Sequence, residues 1–390
     1  MLRSLIRPII FLIALSTAVI VQWQLIDRVG HPWTLTLILW ALISSLAAYF
    51  AQYSVVRAVW VNIAVVLFAL GGTEAWFVAQ EEKWRQGRYE GGFEYNHPID
   101  HQVLGYGPTV NQKASSRKYI DNELVFDVIY TIDADGLRLT PRAKQPRPDG
   151  SILFFGGSMT FGDGVEDGES MPYRVGELAP SKQVYNFGVN GYGPHQMLAT
   201  LEFGLYKSIV DAPVSHVIYT AIPGHVRRVN GLAPWDRRGP WYRMTAEGDI
   251  EYAGSFEDSR SRLLNYLLPA LDESKIYQKS FGIQRALKPE DIDLYVSIVA
   301  SARDRANALF PDSQFHVLLW DYEDDPTVKR IYDGFFAADI RTHLISDILP
   351  EYNHYKENYQ IGIHESHPNA LAYDLIAKYI VTEILNGHDE

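Results

Sequence analysis

No cysteine occurs among the 390 residues, which excludes disulfides, thiolate catalysis and zinc sites built on Cys. It leaves the compartment open, since a Cys-free chain folds inside or outside the cytosol. Positive charge is also scarce: 35 Lys and Arg stand against 47 Asp and Glu, for a net charge of −12. Nothing here would neutralise phosphates over a broad surface, so a nucleic-acid partner is excluded. Charged residues are only 21 % of the chain and hydrophobic ones 47 %, which excludes a disordered chain. Internal repeats and low-complexity tracts are absent, as is any ligand spacing for zinc; no metal or cofactor is expected.

What the chain has in excess is long apolar runs near its start. Residues 8–26, 33–50 and 58–76 each approach the ~20 residues needed to cross a ~30 Å hydrocarbon core, and Glu74 is the only charge within them. Arg3, Arg7 and Arg57 fall where the positive-inside bias makes them cytoplasmic, while Asp27 and Arg28 cancel. Three spans then place residues 81–390 outside the cytoplasm, in the periplasm if the cell is Gram-negative. A cleaved signal peptide in the first run would leave the same placement, because two spans remain. The plainer alternative is a set of buried core helices.

The organisation expected is a membrane anchor over 1–80, a connector and β-rich accessory segment over 81–145, and a main domain over 146–390. In the main domain, apolar strands (151–156, 183–188, 214–222, 314–320, 339–345) alternate with helical stretches, of which 290–309 and 367–385 are the longest. That alternation predicts an α/β fold with a parallel sheet covered on both faces. Ligand sites in such sheets form at the carboxyl ends of the strands.

Those ends carry the chemistry. The first reads FFGGSMTFGDG (154–164), where Gly156 and Gly157 allow a sharp turn that exposes the Ser158 hydroxyl. It is neither a G-x-S-x-G elbow nor a phosphate loop; alone, it reads most simply as a small residue in a tight turn. The second end reads NFGVNGYGPHQ (186–196), where Gly188 allows close backbone approach and an N–H that can face an anion. The third reads IPGHVRR (222–228), bringing His225, Arg227 and Arg228 to the same rim. Near the C-terminus, HESHPN (364–369) offers His367 with Glu365 two residues before it. A serine becomes a nucleophile through a base, and the base needs an acid to hold its tautomer. Ser158, His367 and Glu365 supply those types in plausible order.

These blocks resemble the SGNH (GDSL-type) hydrolase family over about residues 150–385. GGSMTFG is similar to the family's first block, with Ser158 as nucleophile. NFGVNGYG is similar to the second, with Gly188 as its oxyanion glycine, and SHPNALAYDLIA to the last, with His367 as catalytic histidine. The resemblance implies a three-layer α/β/α sandwich and an esterase, lipase, thioesterase, deacetylase or polysaccharide O-acetyltransferase. Two departures stand out. PGHVRR puts His225 where the family has an oxyanion Asn, with Asn190 as a second candidate donor, and Glu365 replaces the usual Asp. The expected mechanism is a Ser–His–Glu acyl-enzyme with an oxyanion held by the N–H groups of Ser158 and Gly188 and by His225 or Asn190.

The substrate expected is an acylated glycan of the envelope or an exported polysaccharide, worked on beside envelope polysaccharide machinery. Different readings are an impaired module acting as a glycan-binding scaffold, and a lipase. Trp235, Trp241, Tyr242 and Tyr252 fall in an aromatic hairpin expected over 231–253, either a sugar platform or packing. Arg227 and Arg228 are either anion binders or solvated ion pairs. His364, His97 and His101 read more simply as non-ligands, and Glu74 as an interfacial residue.

Overall fold

The structure is a computed structural model and describes residues 32–80, 88–93, 99–282, 284–321, 326–362 and 365–386. It divides into two compact units. Helices α1 (Pro32–Phe50) and α2 (Ser54–Gln80) belong to the first. Both are long and apolar enough to cross a membrane. Two such helices are described where three spans were expected; the run over 8–26 lies outside the described residues.

The second unit begins with an accessory layer. Strands β1 (Arg88–Gly91), β4 (Gln112–Ile120) and β5 (Glu123–Ile132) form an antiparallel sheet in the order β1-β4-β5. Between β1 and β4 a small hairpin pairs β2 (Ile99–His101) with β3 (Gly105–Gly107). Asp133–Gly136 makes the turn after β5: the Asp133 carboxylate accepts from the N–H groups of Asp135 and Leu137. Arg138 then forms isolated bridges to both Ile132 and Asn186, joining the accessory sheet to the main one.

The main sheet is five parallel strands in the order β12-β11-β8-β6-β7. They are β6 (Ser151–Phe155), β7 (Gln183–Asn186), β8 (Val214–Ala221), β11 (Gln314–Leu319) and β12 (Arg341–Leu344). Side chains alternate between its faces. Leu153, Phe155, Val217, Tyr219 and Leu319 pack one core with helices α5 (Pro194–Glu202), α6 (His225–Val229), α9 (Pro289–Leu309) and α10 (Pro326–Ala337). Ile152, Phe154, Val184, Ile218 and Leu318 pack the other with α4 (Met171–Leu178) and α11 (Ala370–Tyr379). Two cores on one sheet make this unit a three-layer α/β/α sandwich.

One expectation is corrected here. The last helix does not begin at His367: Glu365–Pro368 is the short strand β14, paired with β13 (Gln360–Gly362), and the helix starts at Ala370. Asn369 is the better N-cap, its side chain accepting from the Ala372 N–H at 3.0 Å. The aromatic hairpin is formed by β9 (Pro240–Met244) and β10 (Ile250–Ser255). After it the chain leaves this unit: α7 (Arg262–Leu271) and α8 (Lys275–Ser280) pack within the first unit, with α1 and α2, before α9 resumes the sandwich.

Candidate active site

Gly156 ends β6 at φ +151°, and a Cβ there would lie 2.3 Å from Thr160 Oγ1 and 3.1 Å from the Thr220 carbonyl. Only glycine fits that turn. It swings the chain into a single helical turn, α3 (Ser158–Phe161), with Ser158 at its head. The Ser158 Oγ stands 2.8 Å from His367 Nε2. His367 Nδ1 is hydrogen-bonded to Glu365 Oε1, which also accepts from the His367 backbone N–H at 3.2 Å. The structure thus brings nucleophile, base and acid types into one chain of contacts.

The acid is held from a direction the sequence did not suggest. Lys118 Nζ, from β4 of the accessory layer, donates to Glu365 Oε2, and both side chains are largely buried. Burial pushes the Glu365 carboxyl up, but hydrogen bonds from His367 and Lys118 overcome it and bring it to about 2. His367 is pulled down by burial, yet Glu365 and then the charge of Asp163 leave it above its ordinary value. Asp163 Oδ2 lies 4.0 Å from His367 Nε2, while Asp163 Oδ1 accepts from the Tyr130 hydroxyl at 2.8 Å. The same hydroxyl receives the Gly164 N–H at 2.7 Å. Arg138, fully buried, holds the loop after α3 by donating to the carbonyls of Phe161, Gly162 and Val165.

The oxyanion candidates fare unequally. The Ser158 N–H heads α3 with no partner among the described residues. Gly188 is corrected: its N–H is donated to Asn186 Oδ1 at 2.9 Å, so it is not free for an anion. Its glycine serves close packing instead, since a Cβ would fall 2.6 Å from the Phe161 nitrogen and 2.7 Å from Thr160. Asn190 sits on the loop beside Gly156, where Val189 N–H meets the Gly156 carbonyl at 3.3 Å. Both side-chain amide atoms of Asn190 are buried without a hydrogen bond.

His225, at the start of α6, is 1 % exposed. Its Nδ1 lies 2.5 Å from the Tyr219 hydroxyl, which in turn is 3.3 Å from that of Tyr295. Burial, then the charges of Arg228 and His195, hold the imidazole well below its ordinary value, so it is neutral. The other ring nitrogen, Nε2, is buried without a hydrogen-bond partner. It faces Gly157, where a Cβ would stand 3.3 Å from Nε2 and 2.6 Å from Arg228 Nη1. Arg228, not Arg227, is therefore the arginine of α6 at the Ser158 turn. Its guanidinium donates to the Tyr192 carbonyl and lies 5.9 Å from the Trp235 ring centre. Trp235 reaches the same loop, its Nε1 donating to the Gly191 carbonyl at 3.4 Å.

The rest of the hairpin is packing. Tyr242 is buried with its hydroxyl donating to Glu202 at 2.7 Å, and Tyr252 lies edge-on to Phe203. Trp241 makes no hydrogen bond or ring contact with the Ser158 turn among the described residues. His101 Nδ1 accepts from the Val103 and Leu104 N–H groups, a turn histidine. His97 and His364 lie outside the described residues.

No family model matches the chain, and no curated protein does. Solved structures resemble it. One is a member of the lipolytic protein G-D-S-L family from Veillonella parvula, 15 % identical, with a TM-score of 0.35 over 60 % of this chain and 98 % of that one. An acetylxylan esterase from Geobacillus stearothermophilus is 13 % identical, with a TM-score of 0.34 over 62 % and 96 %. A GDSL-like lipase from Bacteroides thetaiotaomicron is 12 % identical, with a TM-score of 0.32 over 61 % and 89 %.

Proposed function

We propose that this chain is a membrane-anchored, SGNH-type serine esterase or O-acyltransferase. The observation that carries the reading is the unbroken contact chain Ser158 Oγ–His367 Nε2, His367 Nδ1–Glu365, closed by Lys118. His367 takes the Ser158 proton as Oγ attacks an ester carbonyl. Glu365 holds the tautomer that leaves Nε2 free to accept it, and Glu365 and Asp163 together stabilise the imidazolium that results. The oxyanion is met by the Ser158 N–H, by His225 Nε2–H and by the Asn190 amide; each such donor is worth ~3–4 kcal/mol in the transition state. The imidazolium returns its proton to the departing alcohol. Water or an acceptor hydroxyl then cleaves the acyl-Ser158 ester, with His367 again the base.

In this reading α1 and α2 anchor the enzyme and the sandwich works outside the cytoplasm, on acylated envelope glycan or exported polysaccharide. Trp235, exposed beside the Arg228 guanidinium, supplies a face for a sugar ring. The assay is covalent: the full chain is treated with a fluorophosphonate and its peptides are mapped by mass spectrometry. The reading expects one adduct, on Ser158, lost in His367→Ala. An unmodified Ser158 in folded protein argues for the non-catalytic scaffold instead.

A further inference from the structure

Glu74 is a carboxylate inside an apolar helix, and it is 1 % exposed. It is not left bare. Its oxygens accept from the Ser274 hydroxyl at 3.0 Å and from the backbone N–H groups of Lys275 and Ile276 at 2.6 and 2.9 Å. Three donors satisfy a buried carboxylate that would otherwise cost several kcal/mol. A second bond joins the same segments, the Trp33 indole N–H donating to the Ala270 carbonyl at 2.6 Å.

These two contacts locate residues 262–286 within their unit. The helices α1 and α2 form an antiparallel hairpin, in which a Cβ on Gly71 would touch Ile38 and Leu37. Trp33, at the start of α1, and Glu74, near the end of α2, are thus at the same end of that hairpin. Helices α7 and α8 pack at this end, the level at which a spanning hairpin meets the lipid headgroups. The aromatic residues there fit that depth: Trp76 is 57 % exposed, and Lys279 lies 5.4 Å from the Phe77 ring centre.

The outward side of 262–286 is the wrong surface for water. Leu263, Tyr266 and Phe281 are 68, 81 and 71 % exposed, and Leu267 is 42 % exposed. Around them the segment carries four basic residues (Arg262, Lys275, Lys279, Arg285) against two acidic (Asp272, Glu273), within a chain of net charge −12. Exposed leucines and aromatics with a local positive excess describe an element lying in a membrane interface, the apolar side chains below the headgroups and the bases among them.

We propose that residues 262–286 are an interfacial membrane segment that seats α7 and α8 in the headgroup–acyl boundary of a bilayer containing anionic lipid. The proposal rests on the membrane reading of α1 and α2 and is independent of the Ser158 chemistry. It gives Glu74 its purpose: the carboxylate clamps the excursion to the spanning hairpin. It also means that the chain passes between the membrane unit and the sandwich three times, at 84–85, 261–262 and 286–287, rather than through a single linker.

The absence of cysteine makes the test direct, because each introduced thiol is the only one. Tyr266→Cys, Phe281→Cys, Val65→Cys on α2 and Phe336→Cys on α10 are made in the full chain. Each is labelled with an environment-sensitive dye and reconstituted in nanodiscs of phosphatidylcholine and phosphatidylglycerol. Dyes at 266 and 281 are expected to be blue-shifted, strongly quenched by doxyl-labelled lipid and several-fold less quenched by iodide than the dye at 336. Either position suffices if the other variant fails to fold. Iodide quenching at both, with position 65 quenched by lipid, overturns the interfacial segment alone. Shielding from both quenchers overturns it too, since a protein surface then covers the segment. If position 65 also escapes the lipid quencher, the spanning hairpin itself is refuted and the proposal falls with it.

Discussion

The Tyr219 hydroxyl lies 2.5 Å from Nδ1 of His225, a buried imidazole that burial holds well below its ordinary value. With Tyr219 at Nδ1, Nε2 faces the Ser158 turn, buried and without a hydrogen-bond partner. In the proposed mechanism Tyr219 donates to Nδ1, which puts the His225 proton on Nε2 as an oxyanion donor.

Removing that donor is expected to be costly to rate and cheap to binding. His225→Phe should lower kcat by about 10²–10³-fold with little change in KM. His225→Asn, which restores an amide donor, should recover much of the loss. Tyr219→Phe should fall between, since either tautomer is then open to His225. Steady-state kinetics on the four proteins checks the order; equal activity of His225→Phe and wild type contradicts the assignment.

The pH profile should show the pull of two carboxylates on one imidazole. In the proposed mechanism His367 acts as base only when neutral, and it is held above the ordinary histidine value. The acidic limb of kcat/KM is therefore expected above about 6.5. Lys118 opposes this pull on His367, so Lys118→Met should move the limb to higher pH. Glu365→Gln should move it lower and reduce kcat by about 10³–10⁴-fold through the lost tautomer.

Acid should weaken the fold from the end of the sheet where the strands begin. His216, His316 and His343 adjoin one another near the starts of β8, β11 and β12, and His316 Nδ1 is 3.0 Å from His343 Nε2. Burial first, then neighbouring charges, bring His216 to about 4 and His316 to about 3, with His343 also lowered; Lys182 and Arg341 are among those charges. The unfolded chain takes up these protons near pH 6.5 and the folded one resists until lower pH. Stability is thus complete above about 6.5 and is lost as pH falls toward 4. Glu365 adds nothing in this upper window, because its lowered carboxyl loses its contribution only below about 4.5, as pH falls towards 2. Tm measured from pH 7.5 to 4.5 should fall steeply, and His316→Gln should flatten the slope.

Two substitutions outside the contact chain should damage the site through its frame. Gly188→Ala places a methyl 2.6 Å from the Phe161 nitrogen and should displace α3, lowering both Tm and kcat. Arg138→Met leaves three buried carbonyls without their donor and should cost at least about 3 kcal/mol. Thermal unfolding of the full chain measures both.

The sheet was legible because each of its strands is a short apolar run closed by turn residues, and the end of the first announced the turn at Ser158. What sequence did not disclose are partners made by the fold. Lys118 meets Glu365 across 247 residues, and Asp163 follows α3 through the left-handed turn at Gly162 to come near His367. Gly188 was expected to present its N–H to an anion, yet Asn186, two residues away, consumes it; a side chain's choice of local partner leaves no trace in spacing. The helix expected from His367 starts later, because Asn369 caps it through the Ala372 N–H. The apolar runs of 262–286 are too short to span, and only its contacts with Glu74 and Trp33 join it to α1 and α2.

The central claim is that Ser158 is a nucleophile activated by His367. The most direct measurement is turnover of a chromogenic acetyl ester by the full chain in nanodiscs, wild type against Ser158→Ala. The chain is kept whole because residues 262–286 pack with 32–80. The account predicts hydrolysis by the wild type that vanishes in Ser158→Ala at unchanged Tm. Equal turnover by both proteins would contradict it.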